Sequence, residues 1–245
     1  MNITDPRKRL IVALDVPSPE SALELVQILK GHVGYFKIGL QLFTSVGPSI
    51  VERIVGQDCR VFLDLKLHDI PNTVSNSVRA ALGLGVSMLT LHTTGGEAML
   101  RRAAETVAES AERSPVAPQL LGVTILTSMD EQQVDSVGLT GPIDNLVVRL
   151  AHLADSCGLD GVVCSPQELD RLDREEFESL FFVTPGIRPM GAQKHDQSRT
   201  KTAAEAIQLG ARHLVIGRPI TQAADPASAA ESIVSEIQRA TIKTE

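Results

Sequence analysis

Tryptophan is absent and tyrosine occurs once; aromatic residues make up 3% of the 245 positions. The core that 43% hydrophobic residues can support must therefore be built mainly from Leu, Val, Ile and Ala, a composition that suits parallel strands covered by helices. Cysteines are few as well. Cys59, Cys157 and Cys164 form no CxxC pair, which points to reduced thiols in a cytoplasmic compartment, with Cys59 and Cys164 packing in or beside strands. No long apolar run is present. Residues 1–9 are polar and charged and only a short apolar stretch, 10–14, follows, so neither a signal peptide nor a membrane span is expected. Positive charge is also short: a net charge of −7 argues against a general nucleic-acid binder, while allowing one small anion in a locally basic pocket.

What is present is alternation. Strand-like runs at 10–14, 33–38, 60–66, 86–91, 119–125, 161–164, 181–184 and 213–216 are separated by helical patterns. Those patterns fall at 18–30, 48–55, 71–82, from 97 to about 110, 142–154, a start at 166–172, 202–209 and 226–239. Ser18 is a plausible N-cap, and Gly210 ends the helix before the last strand. About eight strand–helix units in a chain near 250 residues fit an α/β (β/α)8 TIM barrel. A doubly wound sheet often carries a glycine-rich fingerprint after its first strand. Here Leu14-Asp15-Val16-Pro17 stands there instead, and no linker interrupts the chain, so residues 1–245 read as a single domain.

In such a barrel the chemistry sits at the C-terminal ends of the strands. Polar residues collect there: Asp15 after the first strand, Lys37 near the end of the second, Asp64 and Lys66 ending the third, Thr127 after the fifth, Arg188 after the seventh and Arg218 after the eighth. Asp64 and Lys66, two apart, point to one face of a regular strand. Ionised groups ending a buried strand are costly unless paired or used. Gly217-Arg218-Pro219 joins a glycine, a guanidinium and the start of a short helix, a combination suited to phosphate. A polar loop follows Arg188 and holds Gln193, His195, Asp196, Gln197 and Arg199; a loop this long in a compact barrel is either disordered or a functional lid, from which Arg188 and Gln197 would reach that phosphate. His68 and His92 have no partner at a familiar metal-ligand spacing and read as supporting groups.

The run Asp64-Leu65-Lys66-Leu67-His68-Asp69-Ile70-Pro71-Asn72-Thr73 closely resembles the signature of the orotidine 5′-phosphate decarboxylase family, in its shorter bacterial form. The resemblance extends over nearly the whole chain, through Val12-Ala13-Leu14-Asp15, Phe36-Lys37-Ile38-Gly39, the 123–129 and 161–165 segments, Thr184-Pro185-Gly186-Ile187-Arg188-Pro189 and Ile216-Gly217-Arg218-Pro219-Ile220. It implies decarboxylation of orotidine 5′-monophosphate to uridine 5′-monophosphate, the last step of de novo UMP synthesis, with no metal or organic cofactor. It also implies a homodimer with its sites at the interface. Catalysis would fall to Lys66, the proton donor to C6, within a network of Lys37, Asp64 and Asp69. Asp69 and Thr73 would come from the partner subunit, with Ile70 beside them in the substrate-binding set. Asp15 and Lys37 would hold the ribose. Thr127, with Ser128 nearby, would meet the base, and Arg188, Gln197, Gly217 and Arg218 the phosphate.

Three other readings compete. Mg²⁺-dependent sugar-phosphate decarboxylases and synthases of the same superfamily place an acidic metal ligand near the end of strand two, where this chain has Lys37. A non-catalytic phosphate-ligand-binding barrel would show a replaced residue in the charged network, and none is replaced. A Schiff-base aldolase needs a lone lysine in an apolar pocket, the opposite of Lys66 between two carboxylates.

Overall fold

A computed structural model describes residues 3–111, 117–172, 176–188 and 201–242. Eight strands close into a barrel in sequence order: β1 Leu10–Ala13, β2 Tyr35–Gly39, β3 Val61–Leu67, β4 Met88–His92, β5 Gln119–Val123, β6 Gly161–Val163, β7 Phe181–Thr184 and β8 His213–Ile216. Every pairing is parallel, and β8 returns to β1 through Leu10 opposite Leu214. The expected (β/α)8 TIM barrel is the observed fold.

The helices around it are α1 Pro19–Leu29, α2 Leu40–Val46, α3 Ser49–Val55, α4 Pro71–Gly83, α5 Glu97–Ala111, α6 Glu131–Ser136, α7 Ile143–Ser156, α8 Ala203–Gln208, α9 Arg218–Thr221 and α10 Pro226–Ile242. Ser18 caps α1 by accepting the Ser21 N–H, as its position before Pro19 suggests. Two helices were not expected. Leu40–Val46 is helical because Gly47, at φ +75°, ends it and Pro48 starts the next. Glu131–Ser136 opens with a reciprocal Asp130–Gln133 capping box.

One expected helix is replaced. After β6 the chain makes a 3-10 turn over Glu168–Arg171, not the start of an α-helix at 166–172. The Glu168 carboxylate folds back to accept the Ser165 N–H at 2.7 Å, and Leu172 bonds to Leu169, three residues back. The segment is thereby held in the tighter coil.

Side-chain alternation explains how the barrel carries a site. One set of inward residues, Ile11, Tyr35, Phe62, Met88, Leu121, Phe181 and Val183, fills the barrel interior. Moving two residues along β1, β2 and β3 from Ile11, Tyr35 and Phe62 reaches Ala13, Lys37 and Asp64, which line the cavity above. The same parity that makes the floor apolar thus delivers polar groups at the rim. Gly161 belongs to this inner face, where a Cβ would collide with the Phe181 backbone oxygen. The opposite faces of the strands pack on the helices through Leu10, Val12, Ile38, Leu63, Leu89 and their neighbours.

The base is closed by His213, edge-on to Tyr35 and Phe181 at 5.4 and 5.5 Å. Burial pushes this imidazole down to about 3, helped by the charge of Arg212, so it is neutral at ordinary pH. Its Nδ1–H donates to the Lys8 carbonyl at 3.1 Å. The three cysteines are free, and Cys157 and Cys164 are buried, which fits packing roles. Among the described residues no helix is long and apolar enough to cross a membrane.

Candidate active site

The third strand does not end regularly. Its pairing with β4 shifts register between Leu63 and Leu67, and Lys66 adopts φ +50°, a left-handed conformation rare outside glycine. Asp64 and Lys66 do converge, as their spacing suggests, but strand alternation is not the whole cause. The ladder breaks at Lys66, whose N–H donates to the Thr90 hydroxyl on β4 at 2.8 Å. Lys66 Nζ then reaches back to Asp64 Oδ1 at 2.8 Å. Left-handed backbone costs ~1–2 kcal/mol at a non-glycine residue, a cost that persists at functional sites where surrounding bonds enforce it.

From this pair the charges alternate across the barrel. Lys37 Nζ lies 3.5 Å from Asp64 Oδ2 and 3.1 Å from Asp15 Oδ1. The order is Asp15, Lys37, Asp64, Lys66, with Asp64 and Lys37 nearly sequestered from solvent and Asp15 more open. Burial pushes the Asp64 carboxyl upward. The charges of Lys37 and Lys66, with hydrogen bonds from Lys66 and Thr90, outweigh burial and hold it below the usual carboxylate range. Asp64 is therefore an acceptor-only anion at neutral pH. Gly39 leaves room for the array: a Cβ there would sit 3.0 Å from Lys37 Nζ and 3.3 Å from Asp15 Oδ1. A larger residue would press on the ion pair.

Above the network lies a cavity of about 440 Å³. Asp15, Lys37, Asp64 and Lys66 line it on the side of β1 to β3. Thr127 lines it after β5, and Arg188, Gly217 and Arg218 after β7 and β8. In an eight-stranded ring β7 stands four strands from β3, so the arginines and Lys66 enter from opposite sides. Arg188 is anchored through its backbone, its N–H donating to the Lys201 carbonyl at 3.0 Å. Gly217 is the N-cap position of the short helix α9, and Arg218 begins it.

Eight of the expected site residues thus share one cavity. Asp69, Ile70 and Thr73 do not line it. They sit where β3 passes into α4; Asp69 and Thr73 are exposed, and Ile70 is 66% exposed despite being apolar. Asp69 Oδ1 accepts the Ile70 N–H at 2.7 Å. Gln197 and His195, with the lid expected around them, lie outside the described residues. Ser128 is exposed and does not line the cavity beside Thr127.

His68 and His92 stack on each other at 5.5 Å. Burial lowers the pKa of His92, and the charges of His68 and Lys66 add to that. Thr90 and Gly39 were missed from sequence alone; a small residue after Lys37 was the one visible signal, and Thr90 gave none.

Cations on one side of an apolar-floored cavity and a buried lysine–aspartate pair on the other define an enzyme barrel for small anionic substrates. The sequence narrows this further. Residues 8–233 match the family model described as orotidine 5′-phosphate decarboxylase / HUMPS family. Curated orotidine 5′-phosphate decarboxylases are similar over almost their full length. That of Syntrophotalea carbinolica is 49% identical over 239 residues, covering 97% of this chain and 98% of its own. That of Syntrophomonas wolfei is 48% identical over 235 residues, covering 95% and 98%. The crystal structure of the Lactobacillus acidophilus orotidine 5′-phosphate decarboxylase superposes with a TM-score of 0.83 at 35% identity, covering 93% of this chain and 98% of that one. The chain belongs to the orotidine 5′-phosphate decarboxylase / HUMPS family.

Proposed function

We propose that the cavity binds orotidine 5′-monophosphate with its C6 carboxylate over Asp64 and Lys66 and its phosphate at Arg188, Gly217 and Arg218. The activity is decarboxylation to uridine 5′-monophosphate, a carboxy-lyase step of pyrimidine synthesis. The observation that carries the residue assignment is the Lys37–Asp64–Lys66 array across β2 and β3, with Lys37 and Asp64 buried, lining a cavity that Arg188 and Arg218 also line.

The chemistry follows from where charge develops. The C6–carboxylate bond breaks, its electron pair stays on C6, and CO2 departs. An ammonium at that carbon stabilises the pair as it forms and then gives its proton to C6, leaving a neutral amine that solvent reprotonates. Lys66 is the ammonium, and Asp64 at 2.8 Å orients it. Asp64, ionised, also faces the departing carboxylate, so like charge raises the bound substrate relative to the transition state. Lys37 ties Asp64 to Asp15, and Asp15 and Lys37 are the pair assigned to ribose hydroxyls. Thr127 meets the base. Gln197 is assigned to the phosphate. Lys37 puts a positive charge where the Mg²⁺-dependent relatives would need a metal ligand, which supports chemistry without a metal or organic cofactor.

The site is completed by a second copy of the chain in a homodimer, which supplies Asp69, Ile70 and Thr73. Their exposure outside the chain's own cavity supports this, as does the apolar Ile70 at the rim. A cytoplasmic location fits the three free thiols. Mixing two variants tests substrate and dimer together. Lys66→Ala and Asp69→Ala homodimers are each expected to be nearly inactive on orotidine 5′-monophosphate. A mixed dimer holds one site with both residues intact, so an equal mixture is expected to recover about a quarter of wild-type activity under a two-fold interface. No recovery after confirmed subunit exchange would place Asp69 in its own chain's site, and an active Asp69→Ala homodimer would place it outside catalysis.

A further inference from the structure

We infer that Thr90 on β4 is a positioning residue for the reaction, its hydroxyl locking Lys66 and Asp64 into a single unit. This rests on the assignment of Lys66 and Asp64 as the reacting pair.

Thr90 is fully buried, and its inward place on β4 lies between Met88 and His92. Its hydroxyl oxygen is 2.8 Å from the Lys66 backbone nitrogen and 3.0 Å from Asp64 Oδ1. Chemistry fixes both directions. A backbone N–H only donates, so Thr90 accepts from Lys66; an ionised carboxylate only accepts, so the one Thr90 proton goes to Asp64. Because Lys66 Nζ also donates to Asp64 Oδ1, lysine and carboxylate are joined twice: directly, and through the threonine.

The lock addresses two local problems. The register shift leaves the Lys66 N–H without a regular ladder position, and the Thr90 hydroxyl takes the place of a strand carbonyl. The left-handed backbone at Lys66 needs surroundings that enforce it, and this bond ties it to a neighbouring strand. Threonine is β-branched and stiff at χ1, so its hydroxyl is held in place by the strand that carries it. Asp64 is thereby braced by Thr90 on Oδ1 while Oδ2 faces Lys37 at 3.5 Å. When a substrate carboxylate approaches, Asp64 cannot swing away without breaking its bonds from both Thr90 and Lys66 Nζ.

A buried threonine that merely fills space would be replaceable by valine, which has nearly the same shape. Three variants separate the possibilities: Thr90→Val removes the hydroxyl, Thr90→Ser keeps it, and Thr90→Ala serves if the valine variant does not fold. With orotidine 5′-monophosphate as substrate, Thr90→Val is expected to lose about 10- to 100-fold in kcat, the scale of one hydrogen bond to a charged group, with KM changing far less. Thr90→Ser should retain most of kcat.

The pH profile adds a readout that packing would not move. The Thr90 bond is one of the interactions holding the Asp64 carboxyl low. Losing it raises that pKa, so the acid limb of kcat/KM shifts to higher pH in Thr90→Val and stays in place in Thr90→Ser. Hydrogen exchange of the Lys66 backbone amide, followed by NMR, needs no turnover: it should be slow in wild type and Thr90→Ser and fast in Thr90→Val. Wild-type kcat, acid limb and amide exchange in Thr90→Val would overturn the inference. A wild-type protein inert toward orotidine 5′-monophosphate would instead sink the substrate assignment, and Lys66 amide exchange would still decide whether Thr90 locks the strand end.

Discussion

Lys66→Ala is expected to cost more in kcat than the ~10²–10⁴-fold usual for losing one general acid, because Lys66 has two tasks. In the proposed mechanism it supplies the proton to C6, and before that its charge stabilises electrons that have no adjacent carbonyl to receive them. The second task is electrostatic and operates in a cavity whose floor is apolar: Phe62 and Val123 line it together with Asp64. The substitution also leaves Asp64 with Lys37, at 3.5 Å, in place of two flanking cations, and so with an uncompensated share of negative charge beside the substrate carboxylate. Both effects act on the chemical step, so kcat should fall much more than substrate affinity. Steady-state and single-turnover kinetics measure this. A loss below about tenfold would reduce Lys66 to a structural ion and require another proton donor.

Arg218→Ala should lower kcat/KM about 10²- to 10⁴-fold, the equivalent of two charge-assisted hydrogen bonds at ~1.5–3 kcal/mol each. Arg218 begins α9 on the cavity wall formed after β8, remote from Lys66 on β3. A remote contact affects the reacting carbon only if its binding energy is spent on holding the substrate and organising the charged network. The sharper comparison uses orotidine, which lacks the phosphate. Wild type should turn it over slowly, and Arg218→Ala should turn it over at nearly the same slow rate, since the contact is missing in both. Equal damage toward both substrates would mean that the arginine supports the fold or the base site. An unchanged kcat/KM for the phosphorylated substrate would move the phosphate elsewhere.

How much of this was legible in the sequence depends on the range of each contact. Asp64 and Lys66 are two residues apart, Lys37 lies near the end of a recognisable strand, and Asp15, Thr127, Arg188 and Arg218 each follow one, so barrel topology alone brings them to one rim. Thr90 was invisible because its partners lie 24 and 26 residues away and nothing in Met88–His92 marks a buried hydroxyl as functional. The left-handed backbone of Lys66 was equally hidden, since a lysine carries no propensity for it; the register shift imposes it.

Local signals went unread at two helices. Gly47-Pro48 and the Asp130–Gln133 spacing both announce helix boundaries. The segment after β6 ran against its pattern, because a Glu168 carboxylate bonded to Ser165 favours a 3-10 turn. Asp69 and Thr73 could be placed only through family resemblance: nothing in their spacing says that they would face away from their own chain's cavity.

The measurement to make is the ultraviolet change as orotidine 5′-monophosphate becomes uridine 5′-monophosphate, catalysed by the purified chain in excess EDTA. Turnover unaffected by the chelator is the expected result, because in the proposed mechanism Lys66 supplies the positive charge that a metal cation would otherwise provide. Turnover that EDTA abolishes and Mg²⁺ restores would contradict the ammonium mechanism and place the chain's chemistry with the metal-dependent relatives.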